Sequence, residues 1–83
     1  MDNQDILRRL AGILQETYGV DETAILPDAK LSDLNIDSMI TADLMIEIED
    51  ALDFTFTNME LPRDATVQDV VDLVQLNLEA KAS

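Results

Sequence analysis

The chain has neither cysteine nor histidine among its 83 residues, so any chemistry near neutral pH must run through hydroxyls and carboxylates. Disulfides and thiolate metal sites are excluded, and so are the usual zinc ligands and the usual neutral-pH base. A nucleophile–base enzyme would need an unusual partner for its nucleophile. An enzyme is therefore not expected, and no catalytic residue is assigned. Within these limits one segment stands out, Leu34-Asn35-Ile36-Asp37-Ser38-Met39, which sets a serine where a long loop becomes a helix. The plain reading is structural, because Asp or Ser ahead of a helix is the commonest N-cap. Three neighbouring features favour more. A helix N-terminus offers unpaired N–H groups and a positive dipole end, which suit an attached phosphate. The loop before Ser38 leaves its hydroxyl open to another protein's active site. The helix after it mixes outward apolar residues with carboxylates, an arrangement suited to transient docking.

Asp33, Asn35 and Asp37 also alternate as the first ligands of a helix–loop–helix calcium site do. Such a loop needs glycine at its sixth position and a bidentate glutamate at its twelfth. This chain has Ser38 and Leu44 there, so no metal ligand set is assigned.

The elements that must position Ser38 follow from apolar periodicity. Ile6, Leu7, Leu10, Ile13, Leu14 and Thr17 recur at three- and four-residue steps and predict a first helix over Asn3–Tyr18. Asn3 is its candidate N-cap and Gly19 its left-handed stop. Gly12 costs about 1 kcal/mol in a helix interior and marks a candidate close contact between helices. A connection over residues 20–37 follows, broken by Pro27 and anchored by Ile25, Leu26, Leu31, Leu34 and Ile36, so it reads as ordered. The second helix begins at Ser38 and ends at Leu52 or Asp53. Its projected core face holds Ile40, Leu44, Ile48, Ala51 and Leu52, with Met45 at the edge. Asp43, Glu47 and Asp50 form an acidic row at i, i+4, i+7 on the outer side, with Met39, Ala42 and Ile46 also turned away from the core. Phe54 and Phe56 re-enter the core, and residues 58–61 read as one short helical turn before Pro62. The last helix opens at Thr66 with Asp69 as its acidic partner and buries Val67, Val70, Val71, Val74 and Leu78. The expected fold is one all-α domain over residues 1–83: three main helices, one short helix, and a long ordered loop between the first two.

Charge is the strongest compositional signal. Eighteen acidic residues face five basic ones, a net charge of -13, and residues 31–62 hold eight carboxylates and no lysine or arginine. Such a surface repels nucleic acid and anionic membranes and steers basic protein patches towards it. The polar, acidic start of the chain is unlike a signal peptide, and no apolar run approaches membrane-spanning length. A cytoplasmic protein without membrane insertion is expected.

Asp37-Ser38-Met39 resembles the Asp-Ser-Leu attachment motif of acyl and peptidyl carrier proteins, whose serine receives 4′-phosphopantetheine. Leu31-Ser32-Asp33-Leu34 is similar to the family's approach to that motif. Thr41, Asp43, Leu44 and Met45 resemble its Thr-x-Glu-Leu-Val run, and Glu49-Asp50 its acidic pair. Phe56 falls where an aliphatic residue follows the family's second helix, and Thr66-Val67-Gln68-Asp69 is similar to the start of its last one. The likeness covers essentially the whole chain in order. Two positions depart from it. Asn35 replaces a glycine, a substitution that still tolerates the left-handed conformation. Ile40 stands where the family often has an acidic residue, a departure from the recognition pattern of the common fatty acid synthase carrier.

The resemblance implies an acyl-carrier-like bundle with a covalent 4′-phosphopantetheine arm on Ser38 and Asp37 as the motif's neighbour. A phosphopantetheinyl transferase with its own Mg²⁺ would move the arm from coenzyme A. The arm's thiol would hold acyl or related intermediates as thioesters for fatty acid, polyketide or related biosynthesis. Ligase or synthase enzymes with basic docking patches, acyl or aminoacyl, would meet Met39, Asp43, Ile46, Glu47 and Asp50 on a monomeric carrier. Asp-Ser-Met is also similar to aminoacyl and D-alanyl carriers, which remain an alternative of the same fold. An alternative of another class is an acidic helical adaptor that carries nothing and uses Ser38 only as a helix cap.

Overall fold

The computed structural model describes residues 2–57, 61–62 and 64–82, with the side chains of 80–82 excepted. Three α-helices span Asn3–Tyr18 (α1), Ser38–Leu52 (α2) and Val67–Ala82 (α3). The connection between α1 and α2 carries two short 3₁₀ turns, Glu22–Ala24 and Leu31–Leu34. No strand occurs among the described residues. The expected all-α bundle and the bounds of its first two helices agree with this architecture. The short helix expected over 58–61 lies outside the described residues, apart from Leu61, which is not helical.

α1 starts one residue earlier in its capping than expected. Asp2, not Asn3, is the N-cap, and its carboxylate accepts the Asp5 N–H at 2.8 Å. Asn3 instead turns sideways onto α3: it donates to Gln75 Oε1 at 2.7 Å and accepts from Gln68 Nε2 at 2.9 Å. At the other end Gly19 takes the left-handed conformation, φ 66°, and the N–H groups of Gly19 and Val20 close on the Leu14 carbonyl. Gly12 marks no close contact, since a Cβ there would meet nothing within 4 Å.

The buried core joins Ile6, Leu10 and Leu14 of α1, Leu44, Met45 and Ile48 of α2, and Val67, Val70, Val71, Leu73 and Val74 of α3. α1 packs chiefly on α3 and more lightly on α2. Several expected core positions differ. Thr17 and Ala51 are exposed, Met45 is fully inside rather than at the edge, and Leu78 is only half-buried. Phe54 and Phe56 follow α2 into the core and meet edge to face with centroids 4.7 Å apart.

The long loop is sewn to the start of α3. The Leu31 N–H donates to the Ala65 carbonyl at 3.0 Å, while Val67 and Gln68 donate to the Ala29 and Pro27 carbonyls at 2.9 Å each. Lys30 and Thr66 pair as a single antiparallel bridge. Leu31 and Ile36 are buried and Ile25 and Leu34 pack against the core, whereas Leu26 stays exposed. Thr66 and Asp69 close a capping box on α3, each side chain taking the other's backbone N–H, at 2.9 and 3.2 Å. The loop that leads into α2 is thereby fixed to the start of α3.

Candidate functional site

Asn35 ends the 3₁₀ turn in the left-handed region, φ 62°, and sends the chain up into Asp37. This is the conformation for which a small polar side chain substitutes best for glycine. Asp37 is then the N-cap of α2. Its carboxylate accepts the Ile40 N–H at 2.9 Å, and its carbonyl accepts both the Thr41 N–H at 2.8 Å and the Thr41 hydroxyl at 2.7 Å. Ser38 is the first helical residue rather than the cap. It is exposed, and its hydroxyl makes no hydrogen bond among the described residues. The capping duty that would account for the serine structurally is already discharged by its neighbour.

Beside Ser38 runs an open groove of about 470 Å³ between α2, the 3₁₀ turn and the approach to α3. Ser38, Asp37, Ser32 and Thr41 provide polar edges, and Ile36, Met45, Leu61 and Ala65 an apolar wall. Of the wall residues Ile36, two positions before Ser38, and Met45, through its place on α2, could be read from the sequence as lying near the site. Leu61 and Ala65 arrive from the approach to α3, whose position depends on the loop's bonds to it.

The residues expected to meet partners lie together on the outer side of α2. Met39 and Ile46 are 79% and 59% exposed, two large apolar side chains on one face of α2. Asp43, Glu47 and Asp50 are exposed along the same helix. Ile40 is half-buried against the core edge. Glu49 differs from the other carboxylates: it turns inward and accepts the Phe56 N–H at 2.7 Å. Tyr18, not singled out from the sequence, borders this face. Burial first, then the nearby Asp43 and Glu47 carboxylates, raise its phenol above the usual value.

The site can do one kind of chemistry unaided, which is to offer an accessible primary hydroxyl to another protein's catalyst. The position also suits an anion. The Ser38 and Met39 N–H groups lie in the first turn at the positive end of the helix.

The sequence pattern of the family described as "Phosphopantetheine attachment site" matches residues 8–74, a span that includes Ser38 and the whole of α2. The acyl carrier protein of Coprothermobacter proteolyticus is 37% identical over 82 residues, covering 98% of this chain and 100% of that protein. The acyl carrier protein of Rubrobacter xylanophilus is 33% identical over 75 residues, covering 89% of this chain and 93% of that protein.

Proposed function

The chain belongs to the acyl carrier protein family, whose covalent cofactor is 4′-phosphopantetheine, and from that premise we propose that it carries acyl intermediates as thioesters on an arm attached to Ser38. The observation that carries the reading is the state of that serine. Its hydroxyl is exposed and unbonded at the first turn of α2, while Asp37 does the capping. Under the adaptor reading Ser38 is the cap, and that role is already taken.

In the proposed reaction a phosphopantetheinyl transferase docks on α2, and Ser38 Oγ attacks the pantetheine-side phosphorus of coenzyme A. An Oγ–P bond forms and the pyrophosphate P–O bond breaks. The adenosine bisphosphate leaves with the electron pair, and the serine proton passes to a base of the transferase. The first-turn N–H groups of α2 then favour the anionic phosphodiester. The bound arm supplies the thiol that this cysteine-free chain lacks. Tethering replaces free diffusion of the cargo by a high local concentration at each docked enzyme.

The 83 residues act as one carrier domain, a monomer in the cytoplasm, with catalysis left to its partners. No described helix is long and apolar enough to cross a membrane. Met39 and Ile46 supply apolar contact, and Asp43, Glu47 and Asp50 attract the basic patches of ligases and synthases. The cargo we favour is an acyl group of fatty acid, polyketide or related biosynthesis, supported by the acyl carrier protein names of both relatives.

The test is intact mass after incubation with coenzyme A, Mg²⁺ and a promiscuous phosphopantetheinyl transferase. The parent is expected to gain one phosphopantetheine and Ser38→Ala none. A folded parent left unmodified by several transferases would falsify the assignment.

A further inference from the structure

Tyr18 has no part in attaching the arm, yet it stands beside the helix that does. It is the last residue of α1, half-buried, with part of its ring packed against the core edge. With Leu34, Asn35 and Ile40 it lines a hollow of about 320 Å³ where α1, the loop and α2 meet. On α2, Ile40, Asp43 and Glu47 succeed one another at three- and four-residue steps, so they form one stripe. The two carboxylates of that stripe both act on the phenol. Neither they nor the phenol hydroxyl finds a hydrogen bond or ion pair among the described residues. The chain supplies no basic residue between 31 and 62 to neutralise them. Tyr18 and Ile40 thus meet in one hollow, and the stripe that continues from Ile40 carries two uncompensated carboxylates on an exposed face.

One side chain answers all of this at once. A guanidinium can lay its plane on the ring and turn its N–H fork to a carboxylate. A lysine ammonium can meet the charge but lacks the planar fork and stacks less well. We propose that Tyr18 is a specificity-determining residue of the docking surface, its ring and the Asp43–Glu47 stripe together forming a seat for an arginine of the partner enzyme. The proposal rests on the carrier reading and adds α1 to a surface otherwise drawn on α2 alone.

The experiment measures KM and kcat for arm transfer by a phosphopantetheinyl transferase with coenzyme A, using the parent, Tyr18→Phe and Tyr18→Leu. Tyr18→Phe keeps the ring and is expected to hold KM within about twofold, whereas Tyr18→Leu raises it about fivefold or more with kcat unchanged. The penalty should shrink in a Glu47→Gln background, because ring and carboxylate grip the same cation. Hexa-arginine should inhibit the parent at lower concentration than hexa-lysine, and the difference should vanish in Tyr18→Leu. Circular dichroism and melting check each fold. If Tyr18→Leu is destabilised at the assay temperature, Tyr18→Met, a flexible apolar filler, is read in its place. An unchanged KM in the ring-less variant, equal losses in Tyr18→Phe and Tyr18→Leu, or equal inhibition by the two peptides overturns the arginine seat, even though every variant still gains the arm. A parent that gains no arm overturns the carrier reading, and this inference falls with it.

Discussion

The two ends of α2 are made from similar residues and put to opposite uses. At the N-terminal end Asp37 caps the helix, Ser38 is left with an unbonded hydroxyl, and an open groove lies alongside. At the C-terminal end the polar groups are drawn inward. Glu49 accepts the Phe56 N–H, and buried Asn77 of α3 takes both the N–H and the hydroxyl of Thr57, at 2.9 and 3.1 Å. Asn77 also donates to the Leu73 carbonyl at 2.9 Å. Phe54 and Phe56, in the core on either side of Thr55, complete the anchor. A carboxylate at one end leaves the neighbouring hydroxyl exposed and unbonded, and a carboxylate at the other ties down the chain. What separates them is whether a backbone N–H from another segment comes within reach.

The comparison predicts that substitutions at the two ends fail differently. Ser38→Ala should abolish arm attachment outright, since no other residue of the segment presents a hydroxyl in that place. Its stability should stay within about 0.5 kcal/mol of the parent, as befits an exposed position away from caps and core. Denaturant unfolding beside the mass assay checks both halves, and a loss near the 0.5–2 kcal/mol of a lost cap would return Ser38 to a structural role. Asn77→Ala should do the reverse. It leaves the Thr57 N–H without its partner and opens a buried site, for a loss of about 2–3 kcal/mol. Arm attachment, measured at a temperature where the variant is folded, should survive. A midpoint indistinguishable from the parent's would show that the anchor is not where this end gets its rigidity.

How far each end is legible in the sequence follows the same division. Asp37-Ser38 is local, so its place at a helix start and its chemistry can be read from neighbours in the chain. Which of the two residues caps depends on backbone geometry, and on the carboxylate's reach to Ile40. A lone asparagine beside a valine stripe reads as exposed, so nothing local marks Asn77 for the core. In its buried place it meets a donor that Thr57, twenty residues earlier, brings to it. Asn3 is the same lesson in another place: it reads as a cap, but Asp2 is equally able to cap, and the bonds to Gln68 and Gln75 draw Asn3 away. The loop's apolar anchors were legible as a pattern, while its stitching to Ala65 and Val67 was not, because backbone pairing at so long a separation leaves no periodic trace. Tyr18 is illegible for a like reason, since the carboxylates that act on its phenol belong to another helix.

A smaller effect sharpens the N-terminal half of the comparison. Asp37→Ala removes the cap from α2 and should cost about 1 kcal/mol, lowering the melting temperature by about 4–8 °C for a domain of this size. Asp37→Asn, which keeps an accepting oxygen, should recover most of that stability. If both variants melt like the parent, the first turn of α2 is held by the loop and not by its cap.

The smallest expected effect is electrostatic. The carboxylates of Glu49 and Asp43 sit on the same helix, but only the second is left unbonded among the described residues and free to act on a neighbour. Burial, then Asp43, then Glu47 raise the Tyr18 phenol above its usual value near 10.0. A raised value means that the folded protein holds the phenol proton more tightly than the unfolded chain does. The associated stability is therefore complete below the unfolded value, begins to fall as pH climbs past it, and is fully lost once pH exceeds the folded value. Denaturant midpoints of the parent and Tyr18→Phe, followed from pH 8 into the alkaline range, should run parallel below about pH 10 and then diverge, the parent falling faster. Asp43→Asn should narrow the divergence without removing it, because burial is the larger cause and remains. Parallel curves throughout would mean that the phenol titrates alike in both states and that the unbonded carboxylates of α2 do not reach α1.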